Sequence, residues 1–272
     1  MIVYTFYAPA QNLTEYISTY AILNLDKGKT DNLHAPPNGF AGFIINIDRD
    51  ENGKMDVKDY KGNAFAYQQN YVVGQTTQPC VGNVQGKLVF LIVFFKPVGL
   101  HYFFGTNMDI LTNKTVDLFD FLGNERAASL ISNLNSNNDI DIQINCLNNF
   151  FTKINNTHNI DYTQKAITLI EATHGNISIK DVEEKLCINR RTLERHFKIQ
   201  VGISPKVYAQ IFRFKCAMHF LKANPTATWA QITYENGFSD QSHLIKYFKE
   251  YLKVSPNNLV TLDNDFINYM LQ

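Results

Sequence analysis

The chain has 272 residues, with 25 Lys or Arg against 25 Asp or Glu, 45% hydrophobic and 18% charged residues: ordinary globular usage, and length enough for two cores. The longest apolar run, Leu88 to Phe95, is eight residues, far below the roughly 20 that a bilayer-spanning helix needs, and Met1-Ile-Val-Tyr carries no basic export region, so a cytoplasmic protein with no membrane partner is expected. Cysteines at 80, 146, 187 and 216 form no paired metal or redox motif and are expected as reduced thiols.

In chain order, Phe40 to Asp48, Tyr67 to Gly74 and Lys87 to Lys96 are rich in aromatic and β-branched residues and predict strands, with Asn52-Gly53 as a hairpin turn. After Lys96-Pro-Val-Gly, the segments Leu100 to Phe104, Asp117 to Asn135 and Asp141 to Ile154 predict helices. The expectation is an α+β chain: a small β-barrel or sandwich with packed helices over residues 1–155, then an all-α domain over 160–262, joined by a hinge at Asn155 to Asn159. Tyr20, Phe43, Phe94 and Tyr102 are candidates to line a small-molecule pocket, with core packing as the alternative for each. His34 and His101 stand apart with no His-x-His pair, so neither a metal site, a cofactor nor a catalytic residue is expected.

Charge is uneven along the chain. Residues 1–164 hold 11 basic against 15 acidic side chains, a net of −4, whereas residues 165–262 hold 14 against 8, a net of +6. A positive domain on an otherwise acidic chain is the electrostatic footprint of a phosphate-binding surface.

Within that basic region one pattern occurs twice. Leu193, Phe197, Lys198, Ser204 and Pro205 reappear 51 positions later as Leu244, Phe248, Lys249, Ser255 and Pro256. Upstream of each anchor lies a short helix pattern and a tight turn. In the first copy Ser178 caps a helix running through Val182 to about Leu186, Cys187 and Ile188 turn the chain, and Asn189 caps the next helix. Leu193 and Phe197 face inward, with His196 read as packing beside them, while Arg190, Arg191, Glu194, Arg195 and Lys198 share the opposite side. In the second copy Thr228 and Gln231 form the cap, Gly237 to Asp240 make the turn, and Gln241, Ser242, His243, Ile245, Lys246 and Lys249 point outward. Two units, about 178–198 and 228–249, have the layout of helix-turn-helix readers of duplex DNA. A long helix opened by Ser204-Pro205 and ended by Asn224-Pro225 separates them.

The run from Thr163 to Leu262 resembles the DNA-binding domain of AraC/XylS-type transcription regulators, on the strength of Asp181 to Lys198, Gly202-Ile-Ser-Pro with Tyr208, Arg213 with Ala217 and Leu221, Gly237-Phe-Ser-Asp-Gln-Ser-His-Leu, Phe248-Lys and Val254-Ser-Pro. It departs from the family at Glu183 and Thr233, where a small Ala is usual, at Asn189 for Ser, and at Lys253 for Gly. The resemblance implies that Lys198, Lys249 and Arg213 hold phosphates, with bridging of the two halves as a second role for Arg213. It implies that Arg191, Glu194, Arg195, Gln241, Ser242, His243 and Lys246 read bases. Pro36-Pro-Asn-Gly, Phe43-Ile-Ile-Asn, Phe94-Phe-Lys-Pro-Val-Gly, Phe103-Phe-Gly and Thr115-Val-Asp-Leu resemble the cupin-like sensor domains that precede such readers in one branch of the family. Cys80 lacks the His and Arg that flank the alkyl-accepting thiol of repair proteins sharing the AraC-type domain, and is expected to be structural. The implied function is a sequence-specific transcription regulator controlled by a small effector, with a homodimer and, for an activator, RNA polymerase as further partners. The alternative is a constitutive regulator whose N-terminal domain only dimerises or binds protein.

Overall fold

The computed structural model describes residues 2–59, 62, 69–154 and 158–253, with Ile2 and residues 26–34 described by backbone alone. Seven strands, β1 (Ile2–Tyr7), β2 (Ile17–Ala35), β3 (Ala41–Arg49), β4 (Lys54–Asp59), β5 (Asn70–Val73), β6 (Cys80–Phe95) and β7 (Thr115–Asp117), make one antiparallel sheet in the order β1-β2-β6-β3-β5-β7, with β4 also on β6. Four helices follow the strands: α1 (Gly99–Phe104), α2 (Leu118–Leu122), α3 (Asn124–Asn135) and α4 (Ile140–Thr152). Six more complete the described chain: α5 (Asp161–Ala172), α6 (Ile179–Leu186), α7 (Arg190–Gln200), α8 (Pro205–Ala223), α9 (Trp229–Glu235) and α10 (Gln241–Tyr251). The architecture is α+β, as the sequence predicts. None of the described helices is long and apolar enough to cross a membrane.

The run Leu88 to Phe95 reads as unbroken apolar sequence because both faces of β6 are buried. Leu91, Val93 and Phe95 join a core shared with α1 to α4, while Phe90 and Ile92 join Ala21, Leu23, Leu25, Val84 and Leu88 on the other face. Among the described residues every member of that second cluster and every side chain packed against it comes from a strand, and β2 shifts register against β6 alongside it.

Asn52-Gly53 does turn the chain, but it closes no hairpin. β3 pairs with β6 through Arg49↔Leu88 and β4 pairs with the next stretch of the same strand through Lys54↔Gln85, so the two lie end to end along one edge. The turn is a bulge between them. Asp50 accepts the Lys87 N–H at 2.9 Å, and a Cβ on Gly53 would stand 2.5 Å from the Lys87 carbonyl oxygen. An Asn-Gly pair marks a backbone that must turn tightly and cannot specify which strand comes next.

Two other readings change. The single helix expected over Asp117 to Asn135 is two, because Gly123 adopts φ +81°, ψ 153° between α2 and α3, a conformation that glycine alone holds without strain. β1, β2, β4 and β7 are not among the strands that the sequence predicts, although Met55 and Val57 alternate with polar residues in β4. Tyr67 and Gln68, the start of one predicted strand, lie outside the described residues, as do Asn155 to Thr157 of the hinge, Ser255-Pro256 of the repeat and the His34 side chain.

Candidate nucleic-acid interface

Both predicted units are present with their caps. Ser178 accepts from Asp181 N–H at 3.1 Å, Cys187 takes left-handed backbone (φ 51°), and Asn189 accepts from Thr192 N–H at 2.9 Å to open α7. In the second unit Thr228 and Gln231 form a reciprocal capping box, and Asp240 accepts from His243 N–H at 2.8 Å to open α10. Each such cap is worth about 1 kcal/mol.

One core carries both units. Val182, Leu193 and Phe197 of the first and Ile232, Leu244 and Phe248 of the second pack around Tyr208, Phe214 and Ala217 of α8. The 51-residue repeat therefore reflects the same inward pair, Leu193/Phe197 and Leu244/Phe248, fully buried in each copy. Burial of that stripe turns the opposite side of each helix outward. Arg190, Arg191, Glu194, Arg195 and Lys198 are exposed on α7, and Gln241, Ser242, Lys246 and Lys249 on α10, whereas His243 and Ile245 are half-buried.

The surroundings already engage several of these residues. Arg190 donates through Nε to Glu183 Oε1 at 3.0 Å, with Glu194 4.0 Å away, so the unusual Glu183 holds this arginine at the turn. His243 Nδ1 lies 3.1 Å from Ser239 Oγ and its ring packs edge-on to Phe238 and Tyr247. His196 lies edge-on to Tyr162, and burial, then the charge of Arg195, push its pKa down. Thr233 is buried with its hydroxyl on the Trp229 carbonyl at 2.6 Å, which satisfies the polar group that the usual Ala lacks. Lys253 sits at φ 57°, which explains the usual Gly there.

Arg213, for which phosphate contact and bridging of the two halves are both expected, makes bridging contacts. Its Nη2 and Nε donate to the Gly175 carbonyl at 2.6 and 3.2 Å, and its guanidinium carbon lies 5.9 Å from the centre of the Phe238 ring in the second unit's turn. Gly175 needs its φ of +74° and its missing Cβ for this approach, because a side chain there would strike the Ala209 carbonyl. Asn176, which no motif singled out, completes the link by donating to the Asn236 carbonyl at 3.3 Å. Arg213→Ala should lower the denaturant midpoint by the equivalent of about 1.5–3 kcal/mol, the worth of hydrogen bonds to a charged group, and leave the salt dependence of DNA binding unchanged. A salt slope reduced by about one unit would restore the phosphate role.

The end of α7 meets the N-terminal part. The Gly202 carbonyl accepts from Thr112 Oγ1 at 2.6 Å, Gln200 Nε2 donates to the Asn159 carbonyl at 2.7 Å, and Lys198 Nζ stands 3.5 Å from Asp109 in the 3-10 turn Met108–Leu111. The ion pair is largely exposed, so it is worth about 0–1 kcal/mol. On α8, Lys215 Nζ lies 4.4 Å from the centre of the Phe40 ring, and burial pushes its pKa down to about 8 against the opposing pull of Glu171. Glu171 itself accepts from the buried Tyr208 hydroxyl at 2.6 Å.

All four pocket candidates make packing contacts. Tyr20 and Phe43 are fully buried, Tyr20 donating to Asn148 Oδ1 at 3.0 Å; Phe94 packs edge-on to Phe40, and Tyr102 stacks on Tyr16. Tyr20 and Phe43 belong to the core under α1 to α4, Phe94 and Tyr102 are half-buried beside cores, and none of the four lines the groove between α1 and α4. Among the described residues no three His, Cys, Asp or Glu side chains are grouped to hold a metal. Burial, then Asp59, pushes the Cys80 thiol up to about 12, which leaves it protonated.

Residues 182–261 match the helix-turn-helix domain family model. The C-terminal part is an AraC-type helix-turn-helix domain. Residues 5–117 match a domain of unknown function (DUF6597). Over 78 residues the chain is 33% identical to the HTH-type transcriptional activator RhaS of Escherichia coli O139:H28, an alignment covering 29% of this chain and 28% of that one. The chain thus spans little more than a quarter of the length of the curated relatives it matches. Among solved structures, ToxT from Vibrio cholerae aligns at a TM-score of 0.49 and 14% identity, covering 93% of this chain and 98% of that one. A cupin domain from Bordetella pertussis Tohama I aligns at 0.25 and 9% identity, over 35% and 93%.

Proposed function

We propose that this protein is a sequence-specific DNA-binding regulator of transcription in which α7 and α10 enter the major groove. The observation that carries the reading is a pair of exposed helix faces, basic on α7 and polar with two lysines on α10, held by one shared core: burial of Leu193, Phe197, Leu244 and Phe248 orients both faces at once. Arg191, Glu194, Arg195, Gln241, Ser242 and Lys246 suit base edges, since Arg pairs with guanine and Gln with adenine through two bonds each, and Lys198 and Lys249 suit phosphates. Ile245 and His243, half-buried, serve mainly to place their neighbours. Residues 1–155 would act as the sensing or dimerising part and about 160–262 as the reader.

Control by a small effector at the N-terminal part finds support in the contacts Thr112–Gly202 and Asp109–Lys198, which tie that part to the reader itself. A ligand acts through such contacts only by binding one arrangement better than another.

Selection of bound duplexes from a random pool by the full chain should yield one motif with two half-sites. Enrichment of no sequence would defeat the reading. Lys249→Gln should weaken binding to every duplex alike and reduce the slope of log K against log salt by about one unit, which a salt titration on the selected and a scrambled site checks.

A further inference from the structure

A groove of about 900 Å³ lies between α1, α2, α3, α4 and the segment that leads to α5. Phe104, Phe121 and Phe150 form one side of it, the first two edge to face with ring centres 5.2 Å apart, and Asn133, Asn145 and Asn149 give the rest a polar lining. Arg126 from α3, Lys153 from the end of α4 and His158 from the segment before α5 reach the same space, and no Asp or Glu is among its described lining residues. No ion pair among the described residues engages Arg126 or Lys153. Two basic side chains beside these rings, on a half of the chain whose net charge is negative, form a local field that suits an anion. The volume is that of a small-molecule site.

The groove also touches the path to the reader. The His158 ring rests on Gly105, where a Cβ would collide with the imidazole, and lies 5.7 Å from the ring of His101. The next residue, Asn159, accepts the hydrogen bond from Gln200 at the end of α7. The segment through His158 and Asn159 thus joins the groove to the end of α7.

We propose that this groove is an effector site for a small organic anion with an apolar ring, its carboxylate or phosphate held by Arg126 and Lys153 and its ring against Phe104, Phe121 and Phe150. The inference rests on the reading of the chain as an effector-controlled DNA binder and adds the ligand's chemistry and place.

Calorimetric titration of the full chain with biphenyl-4-carboxylate, with phenyl phosphate and with the neutral biphenyl-4-carboxamide tests it. At least one anion should bind saturably, one per chain, and the carboxamide at least tenfold more weakly than the carboxylate if that is the anion bound. Arg126→Gln with Lys153→Gln should weaken the anion at least tenfold, and both side chains are exposed, so the fold should survive. Ser129→Trp, which fills the groove from α3, should do the same without altering charge. Saturating anion should shift affinity for the selected duplex at least threefold. Failure of both anions to bind at millimolar concentration, binding that ignores these substitutions, or binding with no effect on DNA affinity would each overturn the proposal. Selection of a DNA motif by the unliganded chain is read separately, so failure here leaves the DNA-binding reading intact.

Discussion

Phe214→Ala is expected to cost about 3–5 kcal/mol, the usual loss for a buried phenylalanine whose cavity cannot collapse. Phe214 is 2% exposed at the middle of α8, with ring centres 5.5 Å from Phe248 and 5.2 Å from Tyr251. Each aromatic pair adds about 0.5–1.5 kcal/mol beyond area burial. Because the first unit's Leu193 and Phe197 belong to the same cluster, the loss should spread to both units. Denaturation of the AraC-type domain followed by circular dichroism should show a single helical transition shifted to lower denaturant. Two transitions, with one at its original midpoint, would mean that the readers fold independently. Phe214→Leu should cost less, since it keeps most of the volume.

The second large effect concerns recognition. Arg195 is exposed in the middle of α7, between the buried Leu193 and Phe197, and no ion pair among the described residues holds it. Removing its guanidinium should cost about 1–3 kcal/mol on the selected duplex and relax discrimination at one base pair, because a two-bond contact to guanine distinguishes one base from the rest. Binding to random DNA should fall much less. Equal losses on both would place Arg195 on a phosphate. Arg190→Ala should behave differently, since Glu183 and Glu194 already engage that arginine.

Capping residues, the turn at Cys187 and the Leu193/Phe197 stripe act over three or four positions, so a local reading finds them. The particular partner of Arg213 is not legible in the sequence, because the Gly175 carbonyl lies 38 residues away and backbone oxygens carry no sequence signature. The bulge at Asn52-Gly53 was read as a hairpin for a related reason: the turn is local, whereas the pairing of β3 and β4 with β6 depends on residues 88 and 85. Tyr20 and Phe43 were offered as pocket residues because an aromatic side chain gives the same signal whether it faces a cavity or a core.

By itself the sequence determined that a basic, duplicated helix-turn-helix pair follows an α+β N-terminal part, since periodicity, caps and charge are all short-range properties of the chain. Only the tertiary structure decided that Arg213 and Asn176 bind the units to each other, that Asp109 and Thr112 meet the end of α7, and that Arg126, Lys153 and His158 share one groove. Those juxtapositions join residues 5 to 90 positions apart on different elements, and they arise from how apolar faces pack, a condition on the whole chain that no single segment encodes.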